Sequence, residues 1–311
     1  IHYLCGQDAL PEPFNEEEEK QRVDRLTEGD EQVKKELIEN LNIGKYLPEG
    51  IKKIFVHHEI GFVITDRSLE KMSLTERQQA RRERKKHQEI ARLNQYDGIV
   101  TLTETDKDVL ENAGVTRPIF VSPAAVNTKE MAYEGWSGNL VFIGGYHHRP
   151  NQEGIDWFLS EVVPRIDWKH YPQARLKMIG LGWPLSYERD FNGLHVQLLG
   201  YVDDLSEHAA CGIMIVPILT GSGMRMKILD AAALSVPFVS TNVGVEGLDF
   251  ADRNSCLIGD CAEEFAQALV TLMNDGILRK TIAINSHRLF LEKYSLHALV
   301  GKREVVYKAI T

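Results

Sequence analysis

The sequence predicts an α/β fold in which a doubly wound domain, built on a parallel sheet, occupies the second half of the chain. Its strand candidates are apolar along their whole length, as strands are when helices cover both faces of a sheet. Predicted helices alternate with these strands, which is the connection that parallel strands require. Glycine-rich segments follow several strands, at the sheet edge where such domains bind ligands. Chemistry is therefore expected in those loops.

Domain organisation follows from the length of 311 residues, which favours two domains. We expect a first domain at residues 1–135, a second at 136–293, and a C-terminal helix at 294–311 that packs back on the first. The first half offers few strands, at residues 1–4, 53–57, 98–102 and 118–121. Its domain is thus expected to be incomplete: residues precede Ile1, stretches are missing, or the domain is reduced.

The helices of the first half are expected at residues 16–40, 73–93 and 104–114, the second capped by Ser73 or Thr75 and the third ended by Gly114. In the second half, apolar runs predict strands at residues 140–143, 176–179, 195–198, 213–216 and 237–240. Helices are expected between and after them, at residues 153–163, 205–210, 225–234, 263–274, 278–292 and 296–309.

The composition excludes several classes of function. The chain is 43% hydrophobic with a formal net charge of -9, which argues against general nucleic-acid binding because phosphate neutralisation needs a basic surface. Its four cysteines form no C-x-x-C pair, so we expect no metal site, a reducing compartment, and burial of Cys211 and Cys256. No apolar run is long enough to span a bilayer.

The glycine-rich loop at residues 220–230 opens onto a predicted helix, whose free amides and dipole favour an anion. Arg225 and Lys227 are expected in the first helical turn, where a cation is disfavoured, and so indicate a bound phosphate that compensates them. Asp230, one turn later, is placed to meet a sugar hydroxyl. The alternative is a solvated helix start in which Asp230 and Lys227 form an exposed ion pair.

Two further loops are expected at the same edge of the sheet. Gly144 and Gly145 follow a buried strand and let a phosphate approach the backbone amides, although an ordinary turn has the same sequence. Residues 241–248 follow the strand next along the chain from residues 213–216. Neighbouring parallel strands would bring this segment and residues 220–230 to one ligand, but a simple turn explains the segment equally well.

The segment from Pro217 to Leu248 resembles the signature of the family-4, or group 1, retaining glycosyltransferases of the GT-B fold. Weaker resemblances occur at residues 140–145, 177–182, 199–204 and 254–259, so the likeness extends from about residue 99 to the C-terminus. It implies two Rossmann-like doubly wound domains, of which the second binds a nucleotide diphosphate sugar.

The resemblance also assigns roles to residues. Arg225 and Lys227 would hold the donor diphosphate and act in catalysis together with His58, which matches a histidine near the donor sugar. Asp230 takes the place of a glutamate that bonds the donor ribose. The other donor-binding residues would be Gly144, Gly145, Gly223 and Met224 around the phosphates, Tyr201 and Val202 at the base, and Val245 and Glu246 near the sugar.

Two positions depart from the family pattern. Asp230 is one methylene shorter than the glutamate it replaces, and the first motif glutamate falls at Ser222, so we assign Ser222 no chemistry. Two other functions stay open: a non-catalytic partner subunit that keeps the fold, and a sugar-nucleotide epimerase. Resemblance of fold does not decide among them.

In the first half, His57 and His58 end a predicted strand. Neighbouring strand residues point to opposite faces, so at most one of them faces a cleft, which argues against a metal; a polar loop start is the plain alternative. The basic run at residues 81–86 has two interpretations as well. One is contact with an anionic membrane surface; the other, which we favour, is a solvated helix face paired with Glu83 and Glu89.

We therefore expect the transfer of a sugar from a nucleotide diphosphate donor to a hydroxyl of a glycan, lipid-linked or protein acceptor, with retention of configuration. No cofactor and no metal are expected, because side chains supply the positive charge. The expected location is cytoplasmic, at the inner face of a membrane if the basic run makes peripheral contact. No nucleic-acid partner is expected.

Overall fold

The computed structural model describes residues 53–69, 75–126, 133 and 135–310. The strand predicted at residues 1–4 and the helix predicted at residues 16–40 lie outside them. Contacts divide the described chain into two compact units: residues 124–301, and residues 53–123 together with 302–310. Each unit has its own sheet with parallel strands, so the α/β prediction is confirmed.

The unit of residues 53–123 and 302–310 is built on a three-stranded parallel sheet in the spatial order β1 (Ile54–His57), β2 (Gly98–Thr101), β3 (Ile119–Val121). Three helices connect the strands or precede them: α1 (Gly61–Leu69), α2 (Glu76–Leu93) and α3 (Glu104–Asn112). Val306, from the C-terminal helix, packs in this unit against Val100 of β2. The main core of the unit consists of Ile60, Phe62, Leu93, Ile99, Leu110, Val115 and Ile119.

Local sequence explains where α2 and α3 begin. Thr75 caps α2 and forms a capping box with Gln78, and Thr103 caps α3 by accepting a hydrogen bond from the amide of Asp106. Each cap satisfies a backbone donor that the first helical turn leaves without a partner. The boundary predicted at Thr75 is confirmed.

The start of α1 is stabilised from α2 instead. The carboxylate of Glu89 accepts hydrogen bonds from the amides of Gly61 and Phe62, at 3.0 Å each, and lies 3.4 Å from Nε2 of His57. Because this cap is distant in the chain, the sequence around Gly61 carries no helix-start signal, and the sequence analysis does not predict α1.

The basic run of α2 differs from its predicted pairing. Arg82 pairs with Asp66 of α1, and the ammonium of Lys86 lies 5.3 Å from the centroid of the Phe62 ring. The expected pairing with Glu89 is wrong, because that carboxylate binds the start of α1. The side chains of the run that remain exposed are Arg81, Arg84 and Lys85.

The unit of residues 124–301 is built on a seven-stranded sheet. Its strands are β4 (Asn139–Ile143), β5 (Arg175–Ile179), β6 (Asp190–Phe191), β7 (Leu194–Gly200), β8 (Ile213–Val216), β9 (Phe238–Ser240) and β10 (Leu257–Ile258). They lie in the order β10-β9-β8-β4-β5-β7-β6. Only β6 is antiparallel to its neighbour among these described strands.

Helices connect these strands, and the chain ends in one. They are α4 (Arg149–Trp157), α5 (Ser206–Ala209), α6 (Met226–Ala233), α7 (Asn242–Val245), α8 (Ala262–Asn274), α9 (Gly276–Lys293) and α10 (Leu296–Ile310), the last of which extends into the other unit. A π-turn (Phe158–Val162) and a 3₁₀ turn (Val163–Arg165) continue α4. Phe158 packs against Phe265 of α8 with ring centroids 6.0 Å apart, inside a core that lines one face of the sheet.

Three expectations need correction. Helix α4 begins at Arg149 rather than at residue 153, because Pro150 is compatible with a first helical turn. Helix α6 begins at Met226, and Arg225 precedes it with extended backbone (φ -84°, ψ 93°), so Arg225 does not lie in the first turn. Cys256 is buried as expected, but Cys211 is only partly buried because it lies in a turn before β8.

Within the described residues, no helix combines the length and the apolar composition that crossing a bilayer requires. The same residues contain no group of three or more histidine, cysteine, aspartate or glutamate side chains arranged to hold a metal ion.

Candidate functional site

The predicted loops meet at the carboxyl edge of the seven-stranded sheet. Strand β8 lies between β9 and β4, and both pairs are parallel. The segments that follow these three strands therefore leave the sheet side by side. Residues 220–230 and 241–248 thus follow neighbouring strands at one edge, as expected, and the glycine turn after β4 lies next to them. Their convergence on one ligand stays a prediction.

The turn at Gly144 requires glycine. Its φ is 152°, and a Cβ built on it would lie 2.5 Å from Nδ2 of Asn151. Hydrogen bonds to both backbone groups hold the turn: the Gly144 amide donates to the Ile179 carbonyl at 2.8 Å, and the Trp183 indole donates to the Gly144 carbonyl at 2.8 Å. A short fixed turn of this kind holds the backbone of Gly145 at the carboxyl edge of the sheet.

Asn151 is a site residue that the sequence analysis missed. It lies in the first turn of α4, is 5% exposed, and joins the glycine turn to helix α6: its Nδ2 donates to the Gly145 carbonyl at 3.0 Å, and its Oδ1 accepts from Nζ of Lys227 at 2.6 Å. The only local signal is a polar side chain after Pro150, on a helix that follows a glycine turn. The contact with Lys227 spans 76 residues of chain, which no local pattern reports.

Lys227 carries a destabilised charge. Its ammonium lies 4.3 Å from the centroid of the Phe142 ring, and the residue as a whole is only partly exposed. Burial, and after it the nearby Arg225 guanidinium, lower the pKa of Lys227 to about 7, although Asp230 acts in the opposite direction. Since burial and a like charge both disfavour the ammonium, an anion bound at this edge would stabilise it.

Arg225 braces the glycine-rich loop. It is 8% exposed, and Nη1 of its guanidinium donates to the Gly223 carbonyl at 2.5 Å and to the Ser222 carbonyl. Gly221 and Gly223 have φ values of 125° and 76°, which only glycine adopts readily. The loop is thus wrapped around the cation, and Ser222 contributes a backbone carbonyl to it.

Asp230 is buried on α6, with 4% of its surface exposed. The alternative of an exposed ion pair between Asp230 and Lys227 is wrong, because Asp230 is buried and Lys227 directs its ammonium to Asn151. The carboxylate still contributes a favourable field at Lys227. Its predicted contact with a ribose stays a prediction.

The segment after β9 is tied to the segment after β8. The Thr241 hydroxyl caps the short helix α7 by accepting from the Gly244 amide at 3.0 Å, and it donates to the Ile218 carbonyl. This ties the start of α7 to the segment that leaves β8. Val245, which ends α7, is 7% exposed, and Glu246 after it is partly exposed.

The structure therefore brings together most of the predicted site. The residues placed on the three adjacent loops and on α6 are Gly144, Gly145, Gly223, Met224, Arg225, Lys227, Asp230, Val245 and Glu246. Tyr201, which is 63% exposed, and Val202 follow β7, two strands away from β4. Their role at a base stays a prediction.

His58 belongs to the other unit. It follows the end of β1 and is exposed, whereas the preceding His57 is 5% exposed and faces Glu89. The structure therefore agrees with His58, not His57, as the accessible histidine. Its proximity to a donor sugar stays a prediction.

Residues 137–275 match the family model described as Glycosyl transferases group 1. This segment is therefore similar to the group 1 glycosyltransferases. The match covers β4 to α8 and thus all of the adjacent loops described above. The resemblance inferred from the sequence is confirmed.

Solved structures share the fold of the glycosyltransferase domain and of the chain around it. Sucrose-phosphate synthase from Thermosynechococcus elongatus matches 88% of this chain and 72% of its own, at 16% identity and a TM-score of 0.69. WaaG, a glycosyltransferase involved in lipopolysaccharide biosynthesis, matches 86% of this chain and 80% of its own, at 16% identity and a TM-score of 0.61. HepE from Anabaena, solved with UDP, matches 89% of this chain and 76% of its own, at 13% identity and a TM-score of 0.63. The predicted GT-B fold is thus confirmed.

A curated relative gives a genetic context for a similar protein. An uncharacterized 44.6 kDa protein in the cps region of Klebsiella pneumoniae is 24% identical over 208 residues, which is 64% of this chain and 53% of that protein. This chain therefore spans about half the length of the relative it matches.

Proposed function

We propose that this chain transfers a sugar from a nucleotide diphosphate sugar to an acceptor hydroxyl, with retention of anomeric configuration, in glycan or polysaccharide biosynthesis. The observation that carries the proposal is the Lys227 ammonium, which Asn151 holds next to the Gly144-Gly145 turn. Burial and Arg225 lower its pKa, and a diphosphate would offset both effects.

The chemistry of the transfer matches this arrangement. When the bond between the anomeric carbon and the donor phosphate breaks, negative charge grows on the leaving nucleoside diphosphate. Lys227, Arg225 and the amides of the glycine-rich loop are held in place beforehand, so they stabilise that charge without reorganising. We propose that these groups take the place of a divalent cation and that the enzyme needs no metal.

The other predicted residues complete the proposed donor site. Asp230 bonds the ribose, Tyr201 and Val202 contact the base, and Glu246 with Val245 lies near the donor sugar. His58 is proposed as a further catalytic residue. In support, the structural relatives HepE and pneumococcal GtfA were solved with UDP.

The acceptor is proposed only as a class: a glycan, a lipid-linked glycan or a protein. The relative from a cps region and the similarity in fold to a lipopolysaccharide glycosyltransferase favour a glycan acceptor. Two alternatives give different outcomes in the experiment below: a non-catalytic partner subunit binds the donor without transfer, and an epimerase converts the donor to another sugar nucleotide.

The first experiment is a calorimetric titration of nucleoside diphosphates and their sugars into the full chain. We expect micromolar binding of one nucleotide, and loss of that binding in the Arg225→Ala, Lys227→Ala double variant. A Lys280→Ala, Arg253→Ala variant removes the same charge from exposed positions and is expected to bind like the unaltered chain. Failure of every nucleotide to bind the folded protein would refute the donor site.

The second step uses the nucleotide sugar that binds. Incubation of the labelled donor with acceptor glycans, followed by NMR of the product, is expected to show a new glycosidic bond with the configuration of the donor. An inverted product would refute retention. A donor that is bound but never consumed identifies the partner subunit, and a changed sugar still attached to its nucleotide identifies the epimerase.

A further inference from the structure

The side-chain amide of Asn151 connects the Gly144-Gly145 turn to the first turn of helix α6. Its amide nitrogen donates to the Gly145 carbonyl at 3.0 Å, and its amide oxygen accepts from the Lys227 ammonium at 2.6 Å. The partners fix this orientation, because a carbonyl only accepts hydrogen bonds and an ammonium only donates them. With 5% of its surface exposed, the amide is confined to this place.

The Asn151 amide packs so closely against the turn at Gly144 that no side chain fits at position 144. A Cβ at Gly144 would lie 2.5 Å from Nδ2 and 2.7 Å from Cγ of Asn151, so any larger residue at position 144 would clash with the amide. On the other side, Lys227 lies over the Phe142 ring. The ammonium is thus held between α4, β4 and the first turn of α6.

A neutral amide has a consequence that a carboxylate would not have. Asn151 accepts one hydrogen bond from Lys227 without neutralising its positive charge, whereas an aspartate would form an ion pair and compete with an incoming anion. The other charged groups that act on Lys227 are Arg225 and Asp230. Burial lowers the pKa of Lys227, and a hydrogen bond from its charged form opposes that effect.

We propose that Asn151 is a positioning residue: it holds the charged ammonium of Lys227 against the Gly144-Gly145 turn and thereby sets the affinity of the site for the donor diphosphate. This inference rests on the proposed donor site. Asn151 itself touches no reacting atom, so its effect on binding passes through Lys227.

The test is a double-mutant cycle on the full chain with the nucleoside diphosphate that binds, and with the matching nucleoside as a phosphate-free probe. We expect Asn151→Ala to raise the dissociation constant of the diphosphate about tenfold, the loss of one charge-assisted hydrogen bond, and to leave nucleoside binding unchanged. The Asn151→Ala, Lys227→Ala double variant is expected to bind no more weakly than Lys227→Ala alone. Additive losses, or an equal loss for the nucleoside, would overturn the proposal.

A control and a ligand-free measurement separate positioning from general damage. Asn139→Ala removes a partly exposed asparagine at the start of β4, whose amide donates to the Ser137 hydroxyl, and is expected to change neither affinity. In the free protein, NMR of ¹³C-labelled lysine follows the titration of Lys227. Asn151→Ala is expected to lower the pH midpoint of this titration, and Asn151→Asp to raise it. Melting curves check that both variants are folded. Unchanged midpoints in folded variants would overturn the inference.

These two measurements also distinguish failure of the inference from failure of the proposed function. If the unaltered chain binds no nucleoside diphosphate, the proposed function and the donor role of Asn151 both fall, while the titration still decides whether Asn151 holds Lys227. If the chain binds a diphosphate and Asn151→Ala binds it equally well, the inference alone is overturned.

Discussion

The charge of Lys227 is the feature on which the site depends at the scale of single residues. An ordinary lysine is charged at any physiological pH, but burial lowers the pKa of Lys227 to about 7. Its hydrogen bond to Asn151 and its position over Phe142 replace the water that a surface ammonium would have. The residue is therefore poised to change its protonation when an anion binds.

The sign of the resulting pH dependence follows directly. Above about pH 7 the ammonium of the free protein loses its proton, whereas a bound diphosphate favours the charged form. Binding must then take up a proton, so we predict that affinity for the nucleoside diphosphate falls as pH rises above 7, by up to about tenfold per pH unit. Calorimetry between pH 6.5 and 9, in buffers with different ionisation enthalpies, measures both the slope and the proton uptake. Lys227→Ala should lack both; parallel profiles for the two proteins would show that another group titrates.

At the scale of elements, apolar runs predicted the strands well, and contacts distant in sequence account for the failures. The predicted strand at 213–216 has the same bounds as β8, because four consecutive buried residues form it. The two-residue strands β6 and β10 have too short a run to recognise. Helix α1 depends on a cap from Glu89, and Asn151 depends on Lys227, so neither has a local signal.

A glycine inside a helix shows the same limit of prediction from local sequence. The sequence marks Gly144 and Gly145 because they follow a strand directly, but Gly154 lies inside α4, where glycine is usually unfavourable. In the structure a Cβ at Gly154 would lie 2.1 Å from the Pro217 carbonyl oxygen. The glycine therefore lets α4 pack against the chain that leaves β8, which places Asn151 within reach of Lys227.

We predict that Gly154→Ala destabilises the protein by about 1–3 kcal/mol, because the clash is with backbone and cannot be relieved by a rotamer change. Gly276→Ala is the matched control: it too is a helical glycine, but the atom nearest to its Cβ would be the flexible end of Arg279, at 3.5 Å. It is expected to be neutral or slightly stabilising. Urea denaturation followed by circular dichroism compares the three proteins, and equal midpoints would show that α4 shifts without cost.

At the scale of the whole molecule, charge is distributed unevenly. The chain has a net charge of -9, yet α2 carries seven arginines and lysines against three glutamates. Such a helix is a candidate for an anionic membrane surface. The structure reduces that potential, because Arg82 pairs with Asp66 and Lys86 lies over Phe62.

The size of the remaining attraction decides between the two interpretations of the basic run. The exposed cations Arg81, Arg84 and Lys85 contribute about 1 kcal/mol each at an anionic surface, whereas even a millimolar dissociation constant requires about 4 kcal/mol. The net negative charge of the chain opposes the contact as well.

We therefore predict that only a minor fraction of the protein sediments with vesicles of anionic lipid at about 0.15 M salt, where the Debye length is about 8 Å. At low salt the bound fraction should grow, and the Arg81→Gln, Arg84→Gln, Lys85→Gln triple variant should abolish that increase. Strong sedimentation that the triple variant loses would instead establish α2 as a membrane contact, and strong sedimentation that it retains would place the contact on another surface.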